Sequence, residues 1–236
     1  QKAAEAGDPD GMKNFAGMLD AGSGGPKNPG EARRWLQKSA EAGNVEGMFN
    51  FAISLEGGIG GPVDSDEARR WYRKAAEAGN AGAMGSLAVM LSKGTGGSQE
   101  LDEARRWFQR AAEGGNVDAM SRFGVMLYVG SGGPTDEKEA RRWFRKAAEA
   151  GHSGALTSLG YVLLNGKGGS SDLVEARRLF RKAAETGDNI AMNNLGTMLR
   201  DGLGGQKDPV EARRWFRKSA DAGSDTAMED LGSMLR

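Results

Sequence analysis

Apolar residues recur along this chain with helical spacing in two alternating kinds of segment. In the first kind, exemplified by residues 44–57, apolar side chains stand at positions i, i+3, i+4 and i+7: Met48, Phe51, Ala52 and Leu55. In the second kind, exemplified by residues 64–78, small and aromatic residues share one face, and charged residues fill the opposite face: Arg69, Arg70, Arg73, Lys74 and Glu77. The pattern predicts two amphipathic helices, A and B, in alternation.

The two helices belong to one unit that is repeated along the chain at a constant spacing. The tetrapeptide Glu-Ala-Arg-Arg marks each copy, beginning at Glu31, Glu67, Glu103, Glu139, Glu175 and Glu211. A single helix pair cannot bury its apolar stripe alone and must stack on copies of itself. We therefore predict an all-α fold, an α/α solenoid of antiparallel helix pairs with a 36-residue repeat. It is expected to form a single domain over residues 1–236, with six full units and partial units at both ends.

Glycines and capping residues mark the expected helix ends. Each helix B is followed by a glycine, which suits the left-handed conformation that ends a helix, and then at once by an N-cap residue: Asp8, Asn44, Asn80, Asn116, His152, Asp188 or Ser224. Before helix B, Asp64 stands three residues ahead of Glu67, which is the spacing of a capping box. Pro29 and Pro209 fall at the first helical position, where no N–H is needed. These boundaries agree with the apolar pattern.

Charge and composition narrow the classes of partner. The chain has 32 Lys+Arg and 32 Asp+Glu, so no net field attracts nucleic acid or an anionic membrane, and neither is an expected partner. No apolar run approaches the roughly 18 residues of a membrane-spanning helix. The absence of Cys excludes disulfides and thiolate metal sites and fits either a reducing or an oxidising compartment. The sequence therefore does not indicate the cellular compartment.

Two stretches resemble a known repeat family. Ala-Met-x-x-Leu-Gly-x-Met-Leu-x-x-Gly-x-Gly-Gly from Ala191 to Gly205, and Glu-Ala-Arg-Arg-Trp-Phe-Arg-Lys-Ser-Ala-Asp-Ala-Gly from Glu211 to Gly223, look like the Sel1-like repeat, a relative of the tetratricopeptide repeat. The resemblance implies a right-handed superhelix that serves as an adaptor or scaffold in complex assembly, and it implies no substrate. The loop departs from the usual pattern in a second glycine where the family often carries Val.

Candidates for catalysis or cofactor binding have simpler structural explanations. The recurring carboxylates stand at capping positions, and His152, the one imidazole of the chain, occupies an N-cap column. The Gly-x-Gly-Gly loops follow no strand and precede no Gly-Lys-Ser/Thr, so a phosphate cradle is not indicated. The five Trp residues lie on the apolar stripe of helix B and are expected in the core. We therefore expect no enzyme activity, no cofactor and no metal site.

Variable columns of helix A suggest a binding surface for a protein or peptide, because a solenoid varies the positions that face its partner. By resemblance to tetratricopeptide arrays, helix A lines the concave face. Large apolar residues collect there in the middle repeats: Phe49, Ile53, Val89, Val125, Tyr128, Tyr161 and Leu164. Asn50, Arg122 and Asn194 are expected as polar flanks. The alternative is that the column of Ile53, Val89 and Val125 packs between adjacent A helices and is half-buried.

A competing function is structural. The last helix A carries apolar residues with no helix B after them: Met228, Leu231, Met234 and Leu235. An exposed apolar face of this kind is expected to pack against another protein surface. The alternative hypothesis is therefore a subunit of a larger assembly that packs through its open ends and loops, with end-to-end self-association as one form.

Overall fold

A computed structural model of the chain describes residues 1–234. This part of the chain contains fourteen α-helices and no strand. The A-type helices are α2 (Pro9–Ala21), α4 (Val45–Glu56), α6 (Ala81–Lys93), α8 (Val117–Val129), α10 (Ser153–Leu164), α12 (Asn189–Asp201) and α14 (Asp225–Ser233). The B-type helices are α3 (Pro29–Glu41), α5 (Ser65–Glu77), α7 (Leu101–Glu113), α9 (Glu137–Glu149), α11 (Leu173–Glu185) and α13 (Pro209–Asp221), and the short α1 (Lys2–Glu5) precedes them all.

Each helix packs mainly on its neighbours in sequence. α2 packs on α3, α4 on α5, α6 on α7, α10 on α11 and α12 on α13, and a helix B packs in turn on the following helix A, as α3 does on α4 and α11 on α12. This is the paired, consecutive packing of an α/α solenoid, so the predicted fold class is confirmed.

The chain forms two compact units. The first comprises Gln1–Ala119 with Ser131–Gly133, and the second comprises Met120–Gly130 with Pro134–Arg236. Each unit contains several helix pairs and an apolar core of its own, to which the aromatic residues Tyr72 and Phe108 contribute in the first and Phe180 and Phe216 in the second. The single-domain organisation expected from the repeat stays a prediction.

The helix ends follow the predicted cap chemistry. Gly79 ends α5 with a φ of +95°, and the Oδ1 of Asn80 then accepts a hydrogen bond of 2.8 Å from the backbone N–H of Ala83. The same bond to the residue three positions later is made by every predicted cap of this kind: Asp8, Asn44, Asn80, Asn116, His152, Asp188 and Ser224. Each turn from a helix B to the next helix A therefore combines a glycine of positive φ with a side-chain cap.

The capping box predicted before helix B forms only in part. The Oδ1 of Asp64 accepts from the backbone N–H of Glu67 at 2.8 Å, as predicted. The backbone N–H of Asp64 instead donates to the carbonyl oxygen of Leu55, at the end of α4, so it has no need of the Glu67 side chain. The Glu67 carboxylate accepts from the indole N–H of Trp71 at 3.3 Å. Glu67 therefore links the Trp71 side chain to the N-terminal turn of α5.

The core is built largely as the apolar columns predict. Trp107, Trp143 and Trp215 are buried, whereas Trp35 and Trp71 are half-buried. The methionine column of helix A is half-buried through most of the chain, and Met228 is exposed.

One charged column departs from the sequence prediction. Arg69 is not on the solvent face of helix B, because only 8% of its surface is exposed. Its Nη1 donates to the backbone carbonyl of Ser98 at 3.0 Å, and its Nη2 meets the Oε1 of Glu100 at 2.6 Å. Ser98 lies in the A-to-B loop of the following repeat, so this arginine joins two repeats.

The same loop carries the glycines that make this contact possible. A Cβ on Gly96 would lie 2.2 Å from the carbonyl oxygen of Ser65, and a Cβ on Gly97 would lie 2.5 Å from the Nη1 of Arg69. Gly97, the last glycine of this Gly-x-Gly-Gly loop, therefore leaves room for an arginine from the preceding repeat.

Candidate functional site

The residues predicted to form a binding surface all lie on A-type helices. Phe49, Asn50 and Ile53 lie on α4 and Val89 on α6, in the first unit. The second unit carries the remaining ones: Arg122, Val125 and Tyr128 on α8, Tyr161 and Leu164 on α10, and Asn194 on α12. The predicted residues therefore fall in both compact units, and each set is described within its own unit.

In the second unit, Tyr128 and Tyr161 form an aromatic pair. Their ring centroids are 6.3 Å apart and the ring planes are 89° apart, which is an edge-to-face arrangement. Tyr161 is 45% exposed and Tyr128 is half-buried. The pair forms because Tyr161 stands one helical turn earlier in its helix A than Tyr128 does in the preceding one. The sequence singled out both residues, and the structure brings them together.

An ion pair lies close to the tyrosine pair. Nζ of Lys167 and Oε1 of Glu137 are 3.1 Å apart. Burial, followed by the neighbouring Tyr161, raises the pKa of Tyr128 above its ordinary value. The Tyr128 phenol therefore keeps its proton at neutral pH and can act as a hydrogen-bond donor. The surface combines two aromatic rings, a phenolic donor and a charged border.

The other predicted residues of the second unit differ in how far their side chains are exposed. Val125 is 43% exposed, Leu164 is half-buried and Arg122 is exposed. The Nδ2 of Asn194 donates to the Ile190 carbonyl of its own helix at 2.8 Å, so part of its hydrogen-bonding capacity is already used.

The helix A column that contains Phe49, one of the predicted surface residues, is packed instead. Ser121 and Thr157, both in this column, are buried. In the first unit, the ring of Phe49 from the same column lies 5.9 Å from that of Tyr72, and its Cζ would lie 2.9 Å from a Cβ at Gly82. Phe49 is therefore engaged in packing within its own unit.

The first unit contains a cavity that includes two of the predicted residues. It has a volume of about 200 Å³ and lies among α2, α3 and α4, and Asn50 and Ile53 form part of its wall. Ile53 is 37% exposed. Gly17 opens the cavity, because a Cβ at this position would meet no atom within 4 Å. Sequence reasoning did not single out this space, although a glycine at position 17, in the column of Ile53, Val89 and Val125, could have indicated it.

The described residues hold no group of three or more His, Cys, Asp or Glu side chains placed to bind a metal ion. Among the same residues, no helix has both the length and the apolar character needed to cross a bilayer. His152 caps α10 through its Nδ1, which accepts from the N–H of Ala155 at 3.1 Å.

The apolar face predicted at the last helix A is open in part. Met228 is 50% exposed, whereas Leu231 and Met234 are half-buried. Leu235 lies outside the described residues. End-to-end association through this face stays a prediction.

Comparison with protein families identifies the repeat. A family model described as the Sel1 repeat matches six consecutive segments: residues 11–44, 45–80, 81–116, 117–152, 153–188 and 189–224. Comparison with curated proteins found no match.

Solved structures are similar in fold and, in two cases, in sequence. A protective antigen of uropathogenic Escherichia coli with an SLR fold is 31% identical, with a TM-score of 0.92 over 98% of this chain and 50% of that one. A Sel1 repeat protein from Oxalobacter formigenes is 31% identical, with a TM-score of 0.76 over 89% of this chain and 84% of that one. The Pseudomonas aeruginosa protein pilF, 16% identical with a TM-score of 0.64, covers 95% of this chain and 97% of its own and shares the fold alone. The chain spans about half the length of the Escherichia coli protein.

Proposed function

This chain belongs to the Sel1 repeat family, whose members are generally protein-interaction scaffolds, and we propose that it binds a peptide segment of a partner protein on the A-type helices. The occupant is a segment that presents apolar side chains together with a backbone or side-chain hydrogen-bond acceptor. The protein acts by binding and performs no catalysis.

The observation that carries this proposal is the pairing of the exposed Tyr161 with the half-buried Tyr128 in the second unit. Tyrosine is enriched at binding hot spots because it offers a large rigid apolar area and a polar tip. Val125 and Leu164 add apolar area beside the pair, and the side chain of Arg122 adds a charged donor. A peptide acceptor has a phenolic donor within this surface, so its polar groups need not be buried without partners.

In the first unit, the cavity next to Ile53 and Asn50 offers a second place for an apolar side chain. Its volume of about 200 Å³ exceeds the roughly 150 Å³ of an engineered apolar cavity that binds benzene. Val89 is half-buried on the next helix A of this unit. The predicted residues of this unit stay part of the proposal.

A peptide-library selection tests the proposal because it offers the protein many candidate segments at once. The wild-type protein, a Tyr128→Ala/Tyr161→Ala variant and a Val174→Ala/Val210→Ala variant are each used as bait. The control removes exposed apolar side chains from the start of α11 and α13, which are B-type helices, whereas both tyrosines lie on A-type helices. Circular dichroism and thermal unfolding check that all three fold equally.

We expect wild type and control to enrich the same peptides, rich in apolar side chains, and the tyrosine variant to lose them. Enrichment of the same peptides by all three proteins would overturn the proposed site. If no peptide is enriched by any of them while sedimentation shows a mass that rises with concentration, the assembly alternative is favoured, for which the exposed Met228 is the supporting observation.

A further inference from the structure

The fifth repeat, residues 153–188, lacks the tryptophan that the other helix B copies carry. Leu179 occupies the column filled elsewhere by Trp35, Trp71, Trp107, Trp143 and Trp215. Leu179 is 3% exposed, so it is still a core residue, but it is smaller than the indole it replaces.

The tryptophans of the other repeats share two polar partners. Each ring has a cation from three residues later over its face, at 4.0 to 4.9 Å from the centroid: Lys38, Lys74, Arg110, Lys146 or Lys218. Four of them also donate the indole N–H to the glutamate four residues earlier, at 3.1 to 3.4 Å: Trp35, Trp71, Trp107 and Trp215. An indole in this column is thus held by a cation in every repeat that carries one, and by a carboxylate in all of these but the fourth, where the Trp143 Nε1 has no partner and Glu139 accepts from Arg142.

The fifth repeat keeps the cation and the glutamate of this column but lacks the indole ring. Lys182 is the cation three residues after Leu179, and Glu175 is the carboxylate four residues before it. The aromatic neighbour across the helix pair is missing as well. Phe15, Phe51 and Phe123 meet their tryptophans edge to face at 5.6 to 5.7 Å, whereas leucine stands in this column of the third, fifth and sixth repeats: Leu87, Leu159 and Leu195.

A pocket of about 180 Å³ lies at this place among α9, α10 and α11. Its apolar lining is buried and consists of Ala148, Leu156, Leu159 and Leu179. The charged lining residues form the mouth of the pocket: Glu175 is half-buried, and the others, Arg145, Glu149, Arg178 and Lys182, are exposed. An engineered cavity of roughly 150 Å³ with aliphatic lining binds benzene, so this volume admits a ring of that size.

We propose that the fifth repeat binds an indole side chain of a partner in this pocket, with the ring over the leucines, its face towards Lys182 and its N–H directed to Glu175. Glu175 is held at the mouth by Arg178, whose Nε and Nη2 donate to its two oxygens at 2.7 and 2.6 Å. A carboxylate has about four lone-pair sites, so it can accept a further bond. Leu156, which stands where most repeats carry Met, completes the aliphatic lining.

Free indole is the probe for this site, and titration of the wild-type protein is followed by NMR of 13C-labelled leucine methyl groups. Indole is expected to shift the methyl signals of Leu156, Leu159 and Leu179, and to leave those of Leu195, in the next helix A, unshifted. Saturable shifts confined to other leucines, or no shift up to the solubility limit of indole, would overturn the proposal. This measurement needs no variant to fold.

Two matched variants then place an extra tryptophan inside or outside the pocket. Leu179→Trp supplies the ring within the chain and is expected to abolish indole binding without lowering the melting temperature. Val174→Trp adds the same residue at an exposed position of α11 and should keep wild-type affinity. Equal indole affinity in both variants would contradict the assigned pocket.

The role of the cation is tested separately. Lys182→Gln is expected to weaken indole binding about two- to fivefold, as for the loss of an exposed cation–π contact. Unchanged affinity would remove Lys182 from the site. The Tyr128→Ala/Tyr161→Ala variant should bind indole as wild type does, so failure of this proposal and failure of the proposed peptide surface are distinguishable.

Discussion

The guanidinium of Arg69 donates to the backbone carbonyl of Ser98, which lies 29 residues further along the chain, in the next A-to-B loop. The same bond recurs at 2.8 to 3.0 Å between Arg33 and Pro62, Arg141 and Ser170, and Arg177 and Gln206. The first arginine of Glu-Ala-Arg-Arg therefore joins neighbouring repeats, while the second remains on the surface in Arg70 and its counterparts.

Arg69→Ala is expected to destabilise the protein by about 2 kcal/mol, because it removes hydrogen bonds of a buried charged group and leaves the Ser98 carbonyl without this donor. The matched control Arg70→Ala removes an exposed arginine from the same helix and should change the free energy of unfolding by less than about 0.5 kcal/mol. Urea unfolding of the two variants measures the difference. Equal losses would show that the inter-repeat bond contributes nothing specific.

Gly96→Ala should be more damaging than Gly79→Ala, although both glycines have positive φ. At Gly79, a Cβ meets nothing within 4 Å, so the expected cost is the left-handed conformation alone, about 1–2 kcal/mol. At Gly96, the Cβ would also clash with the Ser65 carbonyl at 2.2 Å, which adds a further ~1–3 kcal/mol. Thermal unfolding of both variants tests this order, and a reversed order would refute the close approach of loop and helix.

Two helical glycines should respond in opposite directions to substitution by alanine. Gly17→Ala is expected to stabilise the protein by about 0.5–1 kcal/mol, because alanine favours helix and no atom obstructs its Cβ. Gly47→Ala is expected to destabilise it by roughly 1–3 kcal/mol, because the Cβ would lie 2.4 Å from the Oγ of the buried Ser39. Chemical denaturation of both variants tests this. A destabilised Gly17→Ala would argue against the space assigned beside Ile53.

The Arg73–Glu103 ion pair predicts a loss of stability in acid. The Arg73 guanidinium holds the pKa of Glu103 at about 2, below the ordinary value near 4.5. A carboxyl whose pKa is lower in the folded protein stabilises the fold above its unfolded pKa, and this contribution is lost as pH falls towards the folded pKa. The free energy of unfolding should therefore fall between about pH 5 and pH 2.

Glu103→Gln and Arg73→Gln should each flatten that part of the pH profile, and the double variant should add little to either single one. The reason is that both substitutions remove the same ion pair. Glu211, whose pKa Arg181 lowers, would retain its own contribution in these variants. A profile that Glu103→Gln leaves unchanged would show that this pair does not govern acid stability.

The helices and their ends could be predicted from sequence because their causes are local. Gly79 and Asn80 adjoin each other, and the Asn80 cap reaches only three residues along the chain to Ala83. The apolar columns follow the helical period. Because the repeat length is constant, each column can be compared in six or more copies of the unit. Both kinds of signal are complete within one 36-residue unit.

The joints between repeats could not be predicted because they depend on contacts about 30 residues apart. Nothing in the spacing of Arg69 and Arg70 indicates that the first is buried and the second exposed. The role of Gly96 depends on the position of the Ser65 carbonyl in the preceding repeat. Tyr128 and Tyr161 could be singled out from the sequence, because both columns vary among the copies. Their edge-to-face geometry could not be predicted.

The measurement that tests the proposed peptide surface most directly is the affinity of one selected peptide for wild type, for Tyr128→Ala/Tyr161→Ala and for the Val174→Ala/Val210→Ala control. Isothermal titration gives all three affinities under the same conditions. Loss of two aromatic anchors should weaken binding by at least about tenfold, while the control stays within about twofold of wild type. An unchanged affinity in the tyrosine variant, with its fold intact, would contradict the proposed peptide surface.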